Sequence, residues 1–158
     1  MEVQFDWRRM KNIQKIHRAL YAIGLGALIG RLVLLLTTTG RKTGRKRITP
    51  LQYEEIKGRY FIGAARGLHA DWVRNIQADP RVDVRVKNIH FHGTAEVVTD
   101  AARFADFLEV RLQRHPRLMG LLMARVHHLP KHPSRAQLEE LSKDEALVII
   151  SPNVFSEN

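Results

Sequence analysis

The residues best placed to do chemistry lie in one short stretch, Thr37 to Pro50, where five threonines and two glycines are interleaved with Arg41, Lys42, Arg45, Lys46 and Arg47. Cations packed this densely repel one another unless a negative partner meets them. Gly40 and Gly44 let backbone amides come close to a ligand, and amides combined with arginine forks make an anion nest. A phosphate or carboxylate group fits such a loop. It is not a P-loop, because Lys42-Thr43 lacks the G-x-x-x-x-G spacing and no helix follows it. Nucleic acid is the rival anion, but no Phe, Tyr or Trp stands between Val33 and Gln52 to stack a base, so none is expected as a partner.

Other reactive constellations are weaker. His90 and His92 share a strand face, His127-His128 are adjacent, and His115 and His132 each precede a proline, yet no third ligand is signalled and no metal is expected. There is no G-x-S-x-G elbow, and Ser134, Ser142, Ser151 and Ser156 sit in polar or terminal contexts. No pair of carboxylates announces acid–base work. If the chain is an enzyme, its reactive centre belongs to a cofactor.

The elements that must position the loop read as follows. Leu32 to Thr38 is a continuous apolar and β-branched run, the pattern of a strand covered on both faces. Ile48 to Ile56 and Arg59 to Ala65 flank the tight turn Lys57-Gly58, predicting a hairpin with Pro50 at a strand start or sheet edge. Asp71 to Ala78 reads as a short helix capped by Asp71 and ended at Asp79-Pro80. Val82, Val84 and Val86, then Ile89 to Val98 beyond Asn88, predict a second hairpin. Helices follow from Asp100 to His115-Pro116, over Leu118 to Val126 and from Ser134 to Leu141. Ala146 to Ile150 is a last buried strand. About six strands joined mainly by hairpins, with helices at the periphery, predict a mainly β (α+β) fold, a closed or half-closed antiparallel barrel. A Rossmann sheet is not expected, since strands and helices do not alternate strictly.

The 158 residues suit one domain, and 44% apolar content supplies a core. The organisation predicted is a single unit, 1–158: an N-terminal amphipathic helix within 1–30, barrel strands with the basic loop over 31–99, a helical insert over 100–144 and a closing strand over 145–152. In the first segment Trp7, Met10, Ile13, Ile16, Leu20 and Ile23 recur at helical spacing among Arg8, Arg9, Lys11, Lys15 and Arg18. Such a helix either covers the core or docks on an anionic membrane. The apolar stretch Ala19 to Leu36 carries Arg31 and three glycines and reads as helix, break, strand rather than a membrane span. Zero cysteines and the lack of a signal-type segment are expected of a cytoplasmic protein, membrane association remaining open. The formal charge of +10 favours acidic partners.

Gly40-Arg41-Lys42-Thr43-Gly44, followed by Arg47, Pro50 and Leu51, resembles the G-R-K-[S/T]-G-x-x-R-x-x-P-L signature of the deazaflavin (coenzyme F420)-dependent nitroreductase family. Ala64-Ala65, then Asp71-Trp72, Asn75, Ala78, Pro80 and Val82, is similar to that family's second motif. The likeness runs from Arg31 to about Thr99 and returns in the closing strand up to Pro152. It implies a split β-barrel of the FMN-binding type and an oxidoreductase passing a hydride from reduced coenzyme F420 to a small electron acceptor: a quinone, nitro compound or activated alkene. By the same resemblance Lys42, Thr43, Gly44 and Arg47 would hold the coenzyme's phosphate and oligoglutamate tail, with Arg41 and Arg45 or Lys46 at the rim. Ile48, Thr49 and Pro50 would line the deazaflavin, and Ala64 and Ala65 would let its flat ring approach a strand. Trp72 and Asn75 match the motif but also have ordinary uses, as a core ring and a turn cap.

Departures fall at the ring end. Arg66 stands where the family pattern has serine, the loop after it is shorter, and Ala70 replaces a proline. FMN therefore stays open as an alternative cofactor. Proton delivery would come from solvent or a nearby group, with Tyr53, Tyr60 and His69 as catalytic candidates. The 100–144 insert would serve as a substrate lid or a homodimer surface. Two non-enzymatic readings stand beside this one: a basic nucleic-acid-binding module and a peripheral membrane protein.

Overall fold

The structure, a computed structural model, describes residues 33–154. The amphipathic N-terminal helix expected within 1–30, and most of the apolar stretch before it turns to strand, lie outside the described residues. No described helix is long and apolar enough to cross a membrane.

Seven strands form one antiparallel sheet in the order β2-β1-β5-β6-β7-β4-β3. They are β1 (Val33–Thr39), β2 (Lys46–Gln52), β3 (Glu54–Ile56), β4 (Arg59–Ala64), β5 (Arg81–Val86), β6 (Ile89–Val98) and β7 (Ala146–Pro152). The helices are α1 (Asp71–Ala78), α2 (Ala101–Arg114), α3 (Pro116–Arg125) and α4 (Arg135–Glu140). Both hairpins form at the turns read from the sequence. At the first, Lys57 and Gly58 both take positive φ, 51° and 75°, the twist that joins β3 tightly to β4.

The single strand expected over Ile48–Ile56 is instead two. β2 pairs with β1, with Pro50 opposite Leu35, while β3 pairs with β4 at the far end of the strand order. The chain leaves one sheet edge and joins the other at Tyr53, because a sheet that curls into a barrel brings its two edges together. β2 and β4 are in contact across this seam. Pro50, lacking an N–H, sits on an edge strand where no ladder donor is needed.

β7 explains the double-layered core. Ala146, Val148 and Ile150 point into the barrel with Leu34, Leu36, Ile62 and Val84. Leu147 and Ile149 point outward against Phe104, Phe107, Met119, Met123 and Leu138 of the helices. Two covered faces are what a run without polar alternation requires. For β1 the expectation of two covered faces needs correction: Leu34, Leu36 and Thr38 are buried, but Leu35 and Thr37 only half so, since no helix of the described residues joins either hydrophobic cluster on that side.

Helix ends follow local chemistry. Asp100 caps α2 by accepting from the Arg103 N–H at 2.8 Å, and Ser134 and Gln137 form a reciprocal capping box on α4. Asp71 does not cap α1, contrary to expectation. The cap position is Ala70, which has no side-chain oxygen, and the Asp71 carboxylate turns to Arg41 instead.

Candidate functional site

The basic loop leaves β1 and returns in β2 within six residues, so its shape is set by a few backbone bonds. The Gly44 N–H donates to the Gly40 carbonyl at 2.7 Å, and the Gly40 N–H donates to the Arg45 carbonyl at 2.8 Å. Gly44 holds φ at +69°, a left-handed conformation that glycine adopts without strain. A side chain at Gly40 would press on the Arg45 carbonyl at 3.0 Å and the Thr43 hydroxyl at 3.1 Å. Both glycines thus build the turn. Thr43 Oγ1 accepts from the Arg45 N–H at 3.2 Å, which orients its hydroxyl at the loop tip.

Asn75 anchors this loop to the barrel. It is 4% exposed, and both ends of its amide are engaged: Nδ2 donates to Thr38 Oγ1 at 3.2 Å, while Oδ1 accepts from the Arg41 N–H at 3.2 Å and the Arg41 guanidinium at 3.0 Å. The same guanidinium donates to Asp71 Oδ1 at 3.1 Å. Hydrogen bonding and charge from Arg41 hold the Asp71 carboxyl below its usual range, so it stays ionised. Arg41 is thereby committed within the protein. Lys42, Arg45 and Arg47 are exposed and form no ion pair among the described residues, whereas Lys46 donates to Thr39 Oγ1 at 3.0 Å.

Beside this loop lies a cleft of about 790 Å³. One wall is the loop and β2, contributing Arg41, Lys42, Thr43, Arg47, Ile48 and Thr49; the other is the end of β4 and the start of α1, contributing Ala64, Ala65, Trp72 and Asn75. All of these were anticipated from sequence. Gly44 and Pro50 were too, but they do not line the cleft: Gly44 shapes the turn and Pro50 alternates away on β2. Gly40, Leu51, Gly63, Arg66, Ala70 and Asp71 complete the lining. In the sequence Arg66 stands out only as a departure from a motif. It is exposed on the β4 side and makes no ion pair among the described residues.

None of the three candidate proton donors lines the cleft. Tyr53 and Tyr60 are core rings, 7% and 6% exposed, their centroids 5.6 Å apart, with Tyr60 stacked on Phe91. Burial raises both phenols above their ordinary value. His69 sits exposed in the short 3-10 turn Gly67–His69.

Three of the other histidines find carboxylates. His92 pairs with Asp83, His115 Nε2 lies 2.8 Å from Glu54 Oε1, and His127 Nε2 lies 3.5 Å from Glu145 Oε1. No group of three His, Asp or Glu among the described residues is arranged to hold a metal ion.

Glu54 is the hub of a second polar cluster that sequence reasoning missed. Although buried at 6% exposure, it takes Arg114 at 3.2 Å and Arg111 at 3.7 Å as well as His115. The partners are about sixty positions away in the chain, beyond any spacing rule. Arg111 Nε has no hydrogen-bond partner, and desolvation lowers the affinity of this guanidinium for its proton.

Known proteins place this arrangement. Residues 9–118 match the family model described as F420H(2)-dependent quinone reductase. An F420H(2)-dependent quinone reductase of Mycobacterium tuberculosis is 34% identical over 93 residues, an overlap of 53% of this chain and 62% of that protein. The chain thus spans under two thirds of the length of the curated relatives it matches. Among solved structures, an F420-H2 dependent reductase superposes with a TM-score of 0.53 at 23% identity, over 77% of this chain and 95% of the other. A Listeria innocua protein described as a pyridoxamine 5′-phosphate oxidase gives 0.53 at 11% identity, over 88% and 94%. At such identities the likeness is one of fold, the split β-barrel of FMN-binding-like proteins. With both motif segments inside the matched range and folded onto one cleft, the chain belongs to the F420H2-dependent quinone reductase family.

Proposed function

We propose that this chain is an oxidoreductase that binds reduced coenzyme F420 in the cleft and passes its hydride to a quinone. One observation carries the reading. Motif residues as far apart as Lys42 and Trp72 converge on a single cleft, where Lys42, Arg47 and Arg66 form no ion pair among the described residues.

The residues fit the coenzyme. A volume of about 790 Å³ lies in the range of small-molecule sites. Lys42, Arg45 and Arg47 are free to meet a phosphate and several carboxylates, with Thr43 Oγ1 and the loop amides beside them. Ala64 and Ala65 present little side chain, so a flat ring can lie against the end of β4, with half-buried Trp72 as a further apolar wall. When bound, the coenzyme supplies the hydride.

What the chain itself does is place and shield. The β4 wall and Trp72 would hold one face of the ring and exclude water from it, leaving the other face open to the acceptor. Negative charge builds on the acceptor oxygen as it is reduced, and Arg66 is the cation on that wall able to meet it. Asp71 is ionised and bound to Arg41, and the two tyrosines are buried elsewhere, so the proton comes from solvent.

The test is a fluorescence titration of the purified chain with intact coenzyme F420, with the coenzyme lacking its glutamate tail, and with FMN. The intact coenzyme should bind tightest, by a margin that narrows in high salt. Equal or tighter binding of FMN would replace the coenzyme assignment, and the absence of quinone reduction by the loaded chain would remove the acceptor.

A further inference from the structure

Between Glu109 and Glu139 the chain contains no acidic residue and no Phe, Tyr or Trp, yet it carries Arg111, Arg114, Arg117, Arg125, Lys131 and Arg135. The structure divides these cations. Arg111 and Arg114 turn inward to Glu54, and Arg135 is held by Asp106, Glu109 and Glu139. Arg117, Arg125 and Lys131 are exposed and form no ion pair among the described residues.

α3 buries Met119, Gly120 and Met123, which fixes the direction of its opposite face. That face presents Leu118 and Leu121, 44% and 48% exposed, one turn apart and bracketed by Arg117 and Arg125. Val126, 59% exposed, follows at the helix end, and exposed Lys131 lies in the loop beyond it. A single exposed leucine is ordinary, but leucines alternating with unpaired cations on one helix face are the pattern of an interfacial helix.

We infer that the outer face of α3 and the loop after it dock on an anionic lipid surface, the leucines entering the headgroup region and Arg117, Arg125 and Lys131 meeting lipid phosphates. Charge decides the occupant. Nucleic acid would satisfy the cations but leave the leucines in water, and the stretch has no ring on which a base could stack. An anionic bilayer satisfies both. The surface shares no residue with the cleft lining, so the inference stands apart from the coenzyme assignment.

The experiment is vesicle flotation of the full chain with phosphatidylcholine alone, or with about a third of the lipid replaced by phosphatidylglycerol. Wild-type protein should float with the anionic vesicles and far less with the neutral ones. At about 1 kcal/mol per cation, Arg117→Gln with Arg125→Gln should weaken binding about 30-fold. Leu118→Gln with Leu121→Gln should weaken it comparably while leaving thermal melting and coenzyme titration unchanged. The residues before 33 are left intact throughout, so flotation that survives both double variants overturns the inference. It is also overturned if wild-type protein floats with neither vesicle, or if it prefers a random oligonucleotide whose binding ignores the leucine changes.

Discussion

Glu54 gathers Arg111, Arg114 and His115 into one half-buried knot beneath the helices, whereas Lys42 and Arg47 on the cleft, and Arg45 beside them in the loop, pair with no acid among the described residues. The two regions hold similar numbers of cations. In the first, charge is neutralised inside the fold, and the cluster ties β3 to the end of α2. In the second, mutual repulsion is a standing cost to folding that only an arriving anion offsets. Arg41 marks the boundary, being a loop cation already taken by Asp71 and Asn75. A cation with an internal partner therefore serves the fold, and one without is available to a ligand.

That contrast can be broken first at Glu54. Glu54→Gln leaves buried guanidinium charge uncompensated and should cost about 3 kcal/mol, read as a drop of about 10 °C in melting temperature. Coenzyme affinity of the folded fraction should not move. The opposite result is expected at the cleft, where Lys42→Ala with Arg47→Ala should lower affinity for the intact coenzyme about 100-fold, the loss of two charge-assisted contacts. Its melting temperature should hold or rise, since repulsion is relieved.

Asn75→Ala tests the boundary and should move both measures. It should cost about 2 kcal/mol in stability, because Thr38 and Arg41 lose their shared partner, and weaken the coenzyme by loosening the loop. Arg66→Gln should reduce quinone turnover about tenfold at unchanged coenzyme affinity, with partial recovery in Arg66→Lys. Equal loss in the lysine variant would assign Arg66 to shape rather than charge.

The smallest effect concerns Glu145, which burial and the neighbouring Asp144 push up to about 7. Its folded value lies above the unfolded 4.5, so the folded state holds the extra proton between the two. Stability should fall as pH rises from about 4.5 to about 7 and level off beyond. Glu145→Gln should flatten that slope and melt higher than wild type at pH 8.

Much of this was legible beforehand, for local reasons. The Lys57-Gly58 turn, the Asp100 and Ser134 caps and the apolar run of β7 each depend on neighbours within a few positions, and each formed as read. The loop motif anticipated most of the cleft lining because it occupies one stretch of chain. What escaped was set by closure of the sheet. Nothing in Ile48–Ile56 breaks its pattern at Tyr53, so only the curl reveals two strands and buries the tyrosines named as donors. Asp71 looked like a cap until Arg41, thirty positions earlier, claimed it. Gly44 and Pro50 sit within the motif, yet a turn and an edge position use them.

The seam has a mechanical corollary. One unbroken segment, Lys46–Ile56, supplies both free margins of the sheet, and its leading half forms part of the cleft wall. Whatever grips Arg47 to Thr49 also fastens the join at which the barrel would begin to unzip. Occupancy should then slow hydrogen exchange in β3, a strand with no residue in the cleft, so the amides of Glu55 and Ile56 become remote reporters of a ligand they never touch.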